Sequence, residues 1–69
     1  MTPESIRKAR QSLGLSLEAM ATVLGYEGEQ RRSMMHLIEL GKRRIREPQR
    51  RLVEAYLSGY RPEDWPGRR

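Results

Sequence analysis

The stretch that decides the fold is residues 13–25, which read LGLSLEAMATVLG. Gly14 and Gly25 are typical helix-ending residues, and Ser16 is a candidate N-cap, so the stretch predicts a helix from about Leu17 to Leu24. The apolar face of this helix consists of Leu17, Met20, Ala21 and Leu24. So short a helix is not stable alone, and we expect neighbouring helices to cover this face.

Similar start and stop signals on either side predict three more helices. Thr2-Pro3 begins a first helix that Gly14 ends, a third runs from about Glu29 or Gln30 to Leu40, and a fourth runs from near Glu47 to Ser58. No strand pattern is present. The sequence therefore predicts an all-α fold, a compact four-helix domain over residues 1–59. A short irregular C-terminal tail, residues 60–69, follows and is expected to dock through Trp65.

The charge of the chain is concentrated in its middle. The net charge is +5, and residues 29–51 carry eight basic side chains against three acidic ones, whereas the flanking segments are balanced. A concentrated basic segment is typical of proteins with a polyanionic partner such as nucleic acid. The alternative is a solvated face that only aids solubility.

Composition argues against several function classes. The 69 residues include no cysteine and a single histidine, His36, so we expect no metal site and no cofactor. The sequence has no glycine-rich phosphate loop and no spaced carboxylate pair, so an enzyme is not expected. It also has no ligand-sensing domain, so no small-molecule ligand is expected. Without a long apolar run or a signal peptide, no membrane association is expected and a cytoplasmic location is predicted.

Helices 2 and 3 have the spacing of a helix-turn-helix. Ala21 is small enough for close approach of a second helix, and Gly25 can adopt the positive φ that the turn requires. Met35 and Ile38, three residues apart, would anchor the third helix to the core. A basic third helix held in this way can project into the major groove of DNA.

Residues 13–25, followed by IELGKRR at residues 38–44, resemble the Cro/CI (XRE-like) helix-turn-helix repressor family. The resemblance extends over residues 3–58. It implies a lambda-repressor-like fold and a homodimer that binds double-stranded DNA at an inverted-repeat operator and represses transcription. In size and layout the chain is also similar to small phage-type autorepressors, including those encoded beside anti-CRISPR genes.

Two departures from the family concern how the helices would contact DNA. The segment between Gly25 and Gly41 is longer than in the family, so either residues 26–29 form a longer loop or helix 3 gains a turn at its N-terminus. Leu17 stands where the family has a polar residue that touches phosphate. We therefore expect that contact to move to the basic connector after helix 3.

The resemblance also implies roles for individual residues. Base reading is expected from Gln30, Arg31, Arg32, Ser33 and His36, and phosphate contacts from Lys42, Arg43, Arg44 and Arg46. The arginines of helix 3 could instead touch only phosphates, and His36 could be a solvent-facing or core-edge residue. Leu37 could pack in the core or contact thymine methyl groups. Glu39 is expected to pair within the fold.

The last helix and the tail are the expected dimer interface. Its candidate residues are Leu52, Tyr56, Tyr60 and Trp65, although Trp65 could instead close the core of one protomer. Three other functions stay open. The chain could be the antitoxin of a toxin–antitoxin pair, which shares this fold and also binds a toxin. It could be a protein-interaction module without a DNA role or, with less support, an RNA-binding protein.

Overall fold

The computed structural model describes residues 1–66 of the chain, and all regular secondary structure in these residues is helical. Its helices are α1 (Pro3–Ser12), α2 (Leu17–Val23), α3 (Arg31–Glu39) and α4 (Glu47–Leu57). The predicted all-α fold of four helices is thereby confirmed, and no strand occurs in residues 1–66. The end of the predicted tail, residues 67–69, lies outside the described residues. Within the described part of the chain, no helix is long and apolar enough to cross a membrane.

The first two helices begin at the side-chain caps that their sequences predict. At α1, the Ser5 backbone N–H donates to Thr2 Oγ1 at 3.0 Å, and the Thr2 N–H donates to Ser5 Oγ at 2.9 Å. At α2, the Ala19 N–H donates to Ser16 Oγ at 3.1 Å. These bonds satisfy backbone donors that a helix leaves unpaired at its start. By contrast, the Gln30 side chain forms no capping hydrogen bond at the start of α3.

All four helices end in the same way, at a glycine with positive φ, and the turn after α2 illustrates why. Gly25 has φ of 89°, which a residue with a side chain adopts only at a cost. This conformation lets the Gly25 N–H donate to the Thr22 carbonyl and the Tyr26 N–H donate to the Ala21 carbonyl, each at 3.0 Å. The paired bonds close the helix end and fix the direction in which Tyr26 leaves it.

The core lies where α2 packs against α3, and α1 and α4 cover it. Ala21 and Met35 are fully buried and Ile38 is almost so, in agreement with their predicted roles as close-approach residue and anchors. The complete buried set is Ile6, Ala9, Leu15, Met20, Ala21, Val23, Leu24, Met35, Ile38, Val53 and Tyr56. With so few core residues, stability depends on each of them packing well.

Helix α4 supplies hydrogen bonds to the end of α2. The Tyr56 hydroxyl donates to the Val23 carbonyl, and Gln49 Nε2 donates to the Leu24 carbonyl at 3.3 Å. Both carbonyls lie in the last turn, where a helix has no internal donors left. Tyr56 is only 2% exposed, which corrects the expectation that it lies on a dimer surface: its ring and its hydroxyl are both used inside the protomer.

The described part of the tail folds back onto α4 through Trp65. The Trp65 ring meets Tyr56 edge-on, with ring centroids 5.0 Å apart, and the Arg61 guanidinium lies 4.4 Å above the Trp65 ring. Arg61 also donates to the Tyr56 carbonyl at 2.8 Å. A half-buried tryptophan with a cation over its face explains why residues 60–66 stay close to the domain.

Candidate nucleic-acid interface

The extra residues between Gly25 and Gly41 form a longer loop, and they do not lengthen α3. Residues 26–30 contain no helix, with a bend at 28 and a turn at 29–30, and α3 begins only at Arg31, one or two residues later than the sequence predicted. The Arg31 N–H donates to the Gly28 carbonyl at 3.3 Å, which closes the last turn of the loop. The structure therefore has the longer loop and not the longer helix 3, which were the two alternatives that the sequence left open.

Arg31 ties the start of α3 to α2. Its Nε donates to Thr22 Oγ1 at 3.1 Å, its Nη1 to the Gly28 carbonyl at 2.9 Å and its Nη2 to Glu18 Oε1 at 3.0 Å. All three nitrogens of the guanidinium are thus engaged within the protomer. The fork of donors joins the loop, α2 and α3, at the helix start that lacks a side-chain cap. The structure places Arg31 apart from the other expected base-reading residues.

The outward face of α3 carries most of those residues. Arg32, Ser33 and His36 are exposed; at about 100° per residue, Ser33 and His36 lie on the side opposite the buried Met35 and Ile38, and Arg32 lies at the edge of that side. Leu37 and Leu40 are exposed on the same face, so Leu37 is not a core residue. Gln30 is exposed immediately before the helix. The face therefore combines a cation, hydrogen-bonding groups and apolar surface.

A salt bridge holds the other end of α3 against α1. Arg10 donates through Nε to Glu39 Oε2 at 2.7 Å and through Nη2 to Glu39 Oε1 at 3.1 Å, which makes the pair bidentate. Arg10 Nη1 also donates to the Leu15 carbonyl at 3.0 Å. The Glu39 side chain is only 5% exposed and that of Arg10 17%. Glu39 thus pairs within the fold, as expected.

The connector of residues 42–46 presents its four cations to solvent. The Lys42 N–H donates to the Leu37 carbonyl at 3.0 Å, which fixes where the connector leaves α3. Ile45 is partly buried against the core and anchors the middle of the connector. Lys42, Arg43, Arg44 and Arg46 are all exposed. The four expected phosphate-binding residues therefore lie on one anchored segment.

Ion pairing separates these cations from the next ones along the chain. Glu47 Oε2 lies 2.5 Å from Arg50 Nη2 and 3.3 Å from Arg51 Nε. Glu54 Oε2 lies 2.7 Å from Arg50 Nη1. Hydrogen bonds from Arg50, more than any other influence, lower the pKa of Glu47 to about 2. Because carboxylates already neutralise Arg50 and Arg51, the basic segment identified from the sequence contributes less free charge than its residue count indicates.

The remaining cations are unevenly distributed over the molecule. Lys8, Arg10, Arg31, Arg50 and Arg51 form ion pairs, and Arg61 lies over Trp65. Among residues 1–66 the other basic side chains, for which no ion pair is found, are Arg7, Arg32, Lys42, Arg43, Arg44 and Arg46. All but Arg7 belong to α3 or the connector. Charge that is not neutralised within the protomer is therefore concentrated at one part of the fold.

A pocket of about 480 Å³ lies beside the connector. Tyr26 and Met34 form its uncharged side, and Arg43, Arg44 and Arg46 complete its lining. Partial burial raises the pKa of Tyr26, and the charges of Arg43 and Arg46 act against that rise. Sequence reasoning assigned Tyr26 only to a loop. The available signal was its position directly after the turn glycine, where the helix-ending hydrogen bonds fix it.

Comparison of the chain with protein-family models, curated proteins and solved structures gave no match.

Proposed function

We propose that the protein is a transcriptional repressor that binds double-stranded DNA sequence-specifically, as a homodimer on an inverted-repeat operator. One observation carries the proposal. The exposed face of α3, with Arg32, Ser33 and His36, is followed directly by a connector whose four cations have no ion-pair partner in residues 1–66. A helix face with hydrogen-bonding groups next to unneutralised charge suits a groove bordered by phosphates.

In this mechanism α3 enters the major groove, which is about 12 Å wide and admits one helix. Arg32 grips the O6 and N7 atoms of a guanine, while Ser33 and His36 contact neighbouring base edges or phosphates. Leu37, exposed on the same face, contacts thymine methyl groups. Arg31 is not a base reader in this proposal, because its guanidinium already joins α3 to α2.

The connector supplies affinity that does not depend on sequence. Lys42, Arg43, Arg44 and Arg46 neutralise phosphates and release the counterions condensed on them, so binding weakens as salt rises. Such contacts also fix the register of the protein on the duplex. The two kinds of contact are thus assigned to two adjoining segments, with α3 reading bases and the connector binding phosphates.

The dimer would use the end of α4 and the tail. Leu57 is 49% exposed and Tyr60 55%, and the Tyr60 ring stacks on the buried Tyr56 at 6.0 Å. Leu52 and Trp65 are partly buried against the core, whereas Tyr56 no longer belongs to this surface. A protomer of 34 × 26 × 20 Å is of a size that lets two copies place their α3 helices one DNA turn, about 34 Å, apart.

The decisive test compares loss of Arg32 with loss of Arg44. Arg32→Ala should cost about 1–3 kcal/mol on the operator and flatten the preference at one base pair per half-site, because a bidentate base contact is lost. Arg44→Ala should weaken operator and random duplex by similar factors and lower the salt slope by about one per site. Binding of both variants is measured on operator and scrambled duplex across a salt series, after the operator is selected from a randomised library.

Arg51→Ala is the matched control, because Arg51 is exposed but paired with Glu47 on α4. It should bind both duplexes almost as the parent does. If Arg32→Ala and a Gln30→Ala variant both behave like Arg44→Ala, α3 does not read bases and the proposed mechanism fails. If the parent binds no duplex DNA, the proposed function itself is wrong.

A further inference from the structure

The pocket between Tyr26 and the connector has the chemistry of an anion site. Three arginines, Arg43, Arg44 and Arg46, line it together with Tyr26, and no acidic residue takes part. None of the three arginines forms an ion pair within residues 1–66. Each therefore has donors that remain available to a ligand, and guanidinium matches phosphate oxygens in geometry as well as in charge.

Tyr26 is held in this pocket by the end of α2. Its backbone N–H donates to the Ala21 carbonyl at 3.0 Å, so the turn at Gly25 fixes the position of the Tyr26 backbone beside the connector. Burial raises the pKa of Tyr26 although Arg43 and Arg46 act against the rise, so its hydroxyl keeps its proton at neutral pH. A protonated phenol can donate a hydrogen bond to an anion that the arginines hold by charge.

The pocket also has an apolar wall. Met34 lies on α3 and is partly buried, and with the Tyr26 ring it forms the side of the pocket that carries no charge. Such a wall excludes water from one side of a bound anion and strengthens the hydrogen bonds made on the other side. A surface patch of arginines alone would not provide this.

We propose that Tyr26, Arg43, Arg44 and Arg46 form a binding site for a single phosphate group, with the Tyr26 hydroxyl as its neutral hydrogen-bond donor. The phosphate is either a diester of the DNA backbone or a free phosphate monoester. In the first case the inference rests on the proposed function and gives the loop residue Tyr26 a share in holding the duplex. In the second case it defines a ligand site that is independent of DNA.

The first experiment uses inorganic phosphate as the probe. The full chain is titrated with phosphate at constant ionic strength, with chloride as the reference anion, and the tyrosine ring signals are followed by NMR. The Tyr26 signals should shift in a saturable manner, and Tyr26→Phe should weaken binding about tenfold, because a hydrogen bond to a charged group is lost. Arg51→Gln is the control, since Arg51 is exposed on α4 and does not line the pocket.

The second experiment measures DNA binding of the same variants across a salt series. If the phosphate belongs to DNA, Tyr26→Phe weakens operator and random duplex alike by about tenfold but leaves the salt slope unchanged, because no charge is removed. Arg46→Gln, which removes a charge and leaves Tyr26 unchanged, should lower the salt slope by about one per site. It also serves as the second variant if the phenylalanine substitution disturbs the loop.

The outcomes distinguish the two sources. Weaker DNA binding by Tyr26→Phe, with or without a response to inorganic phosphate, assigns the site to the DNA backbone. A loss confined to inorganic phosphate assigns it to a free monoester. If neither phosphate nor duplex shifts the Tyr26 signals and Tyr26→Phe binds both as the parent does, the proposal is overturned. Failure of the proposed function alone, with no DNA binding by the parent, leaves the phosphate titration as a valid test.

Discussion

Two identical neighbours, Arg31 and Arg32, differ in what the fold leaves them free to do. The guanidinium of Arg31 reaches back to Glu18 and Thr22 on α2, whereas Arg32, one residue on, is exposed on the outward face of α3. A rotation of about 100° separates adjacent helical residues, and this is enough to divide a structural role from the proposed binding role. Their chemistry is the same, so only position distinguishes them.

Replacement of Arg31 should therefore affect the orientation of α3 more than any single base contact. Arg31→Ala should lower stability by about 1 kcal/mol, because the side chain is partly exposed and its ion pair is screened by solvent. It should also lower the ratio of operator to random-duplex affinity without flattening the preference at one particular base pair. Urea unfolding and binding to single-position operator variants measure the two effects.

Glu18→Gln is the companion variant, because it removes the partner on α2 and leaves Arg31 in place. If Arg31 acts through this contact, the two substitutions lower the affinity ratio in the same way and their effects are not additive. A preference lost at one base pair in Arg31→Ala, but kept in Glu18→Gln, would show that Arg31 reads a base after all.

The limit of sequence reasoning appears clearly at these residues. Glycine and serine positions predicted where α1 and α2 begin and end, because caps and turns depend on residues a few positions apart. Arg31 lies four residues before Met35 and seven before Ile38, so helical periodicity places it toward the core side of α3 once the helix is known to include it. The sequence left open where α3 begins after residues 26–30, and both arginines were therefore placed among the base readers.

At the scale of elements, α2 is too short to be stable alone and is held by its neighbours. Tyr56 and Gln49 from α4 satisfy the carbonyls at its end, and Arg31 from α3 contacts its outer side. The sequence predicted the apolar face of α2 and the small residue Ala21. It did not predict these polar contacts, because each joins residues far apart in the chain and depends on how the helices cross.

The salt bridge between α1 and α3 gives a prediction at this scale. Glu39→Gln leaves the Arg10 cation largely buried without a carboxylate, which should cost about 2–4 kcal/mol in the free energy of unfolding. The cost is below that of a fully buried charge because Arg10 retains its bond to the Leu15 carbonyl and some contact with water. Urea unfolding followed by circular dichroism measures the loss.

Glu54→Gln is the matched control, because it removes the same kind of partner from the more exposed Arg50 on α4, whose side chain is 30% exposed. Its effect should be much smaller, since Arg50 keeps its bonds to Glu47 and remains in water. Equal losses in the two variants would mean that the Arg10–Glu39 pair contributes no more than a surface contact.

At the scale of the whole molecule, the connector and the end of α4 present different chemistry. Most of the unneutralised cations lie on α3 and the connector, while Leu57 and Tyr60 are exposed at the end of α4. The concentration of charge was predictable by counting residues, and its partial neutralisation by Glu47 and Glu54 follows from pairs three and four residues apart on α4. The exposed apolar side chains at the end of α4 are a candidate patch for binding a partner.

Self-association through this patch is testable in the full chain. Leu57→Ser should weaken dimerisation while leaving the unfolding midpoint nearly unchanged, because Leu57 is half exposed and not in the core. A chain truncated after Gly59 should both dimerise more weakly and unfold earlier, because Trp65 no longer covers Tyr56. Sedimentation equilibrium and thermal unfolding measure the two properties. Undiminished dimerisation of the truncated chain would exclude the tail from the interface.

The contacts that surround α3 have a consequence for the thermodynamics of any encounter. The first residue of α3, Arg31, is bonded to α2, and its last residue, Glu39, is bonded to Arg10 of α1. Between them, Met35 and Ile38 anchor the helix in the core. The helix is therefore preorganised, and a partner that meets it does not have to fold it. The conformational entropy lost on association is confined to exposed side chains such as Arg32 and to the connector, so binding resembles the docking of a rigid body.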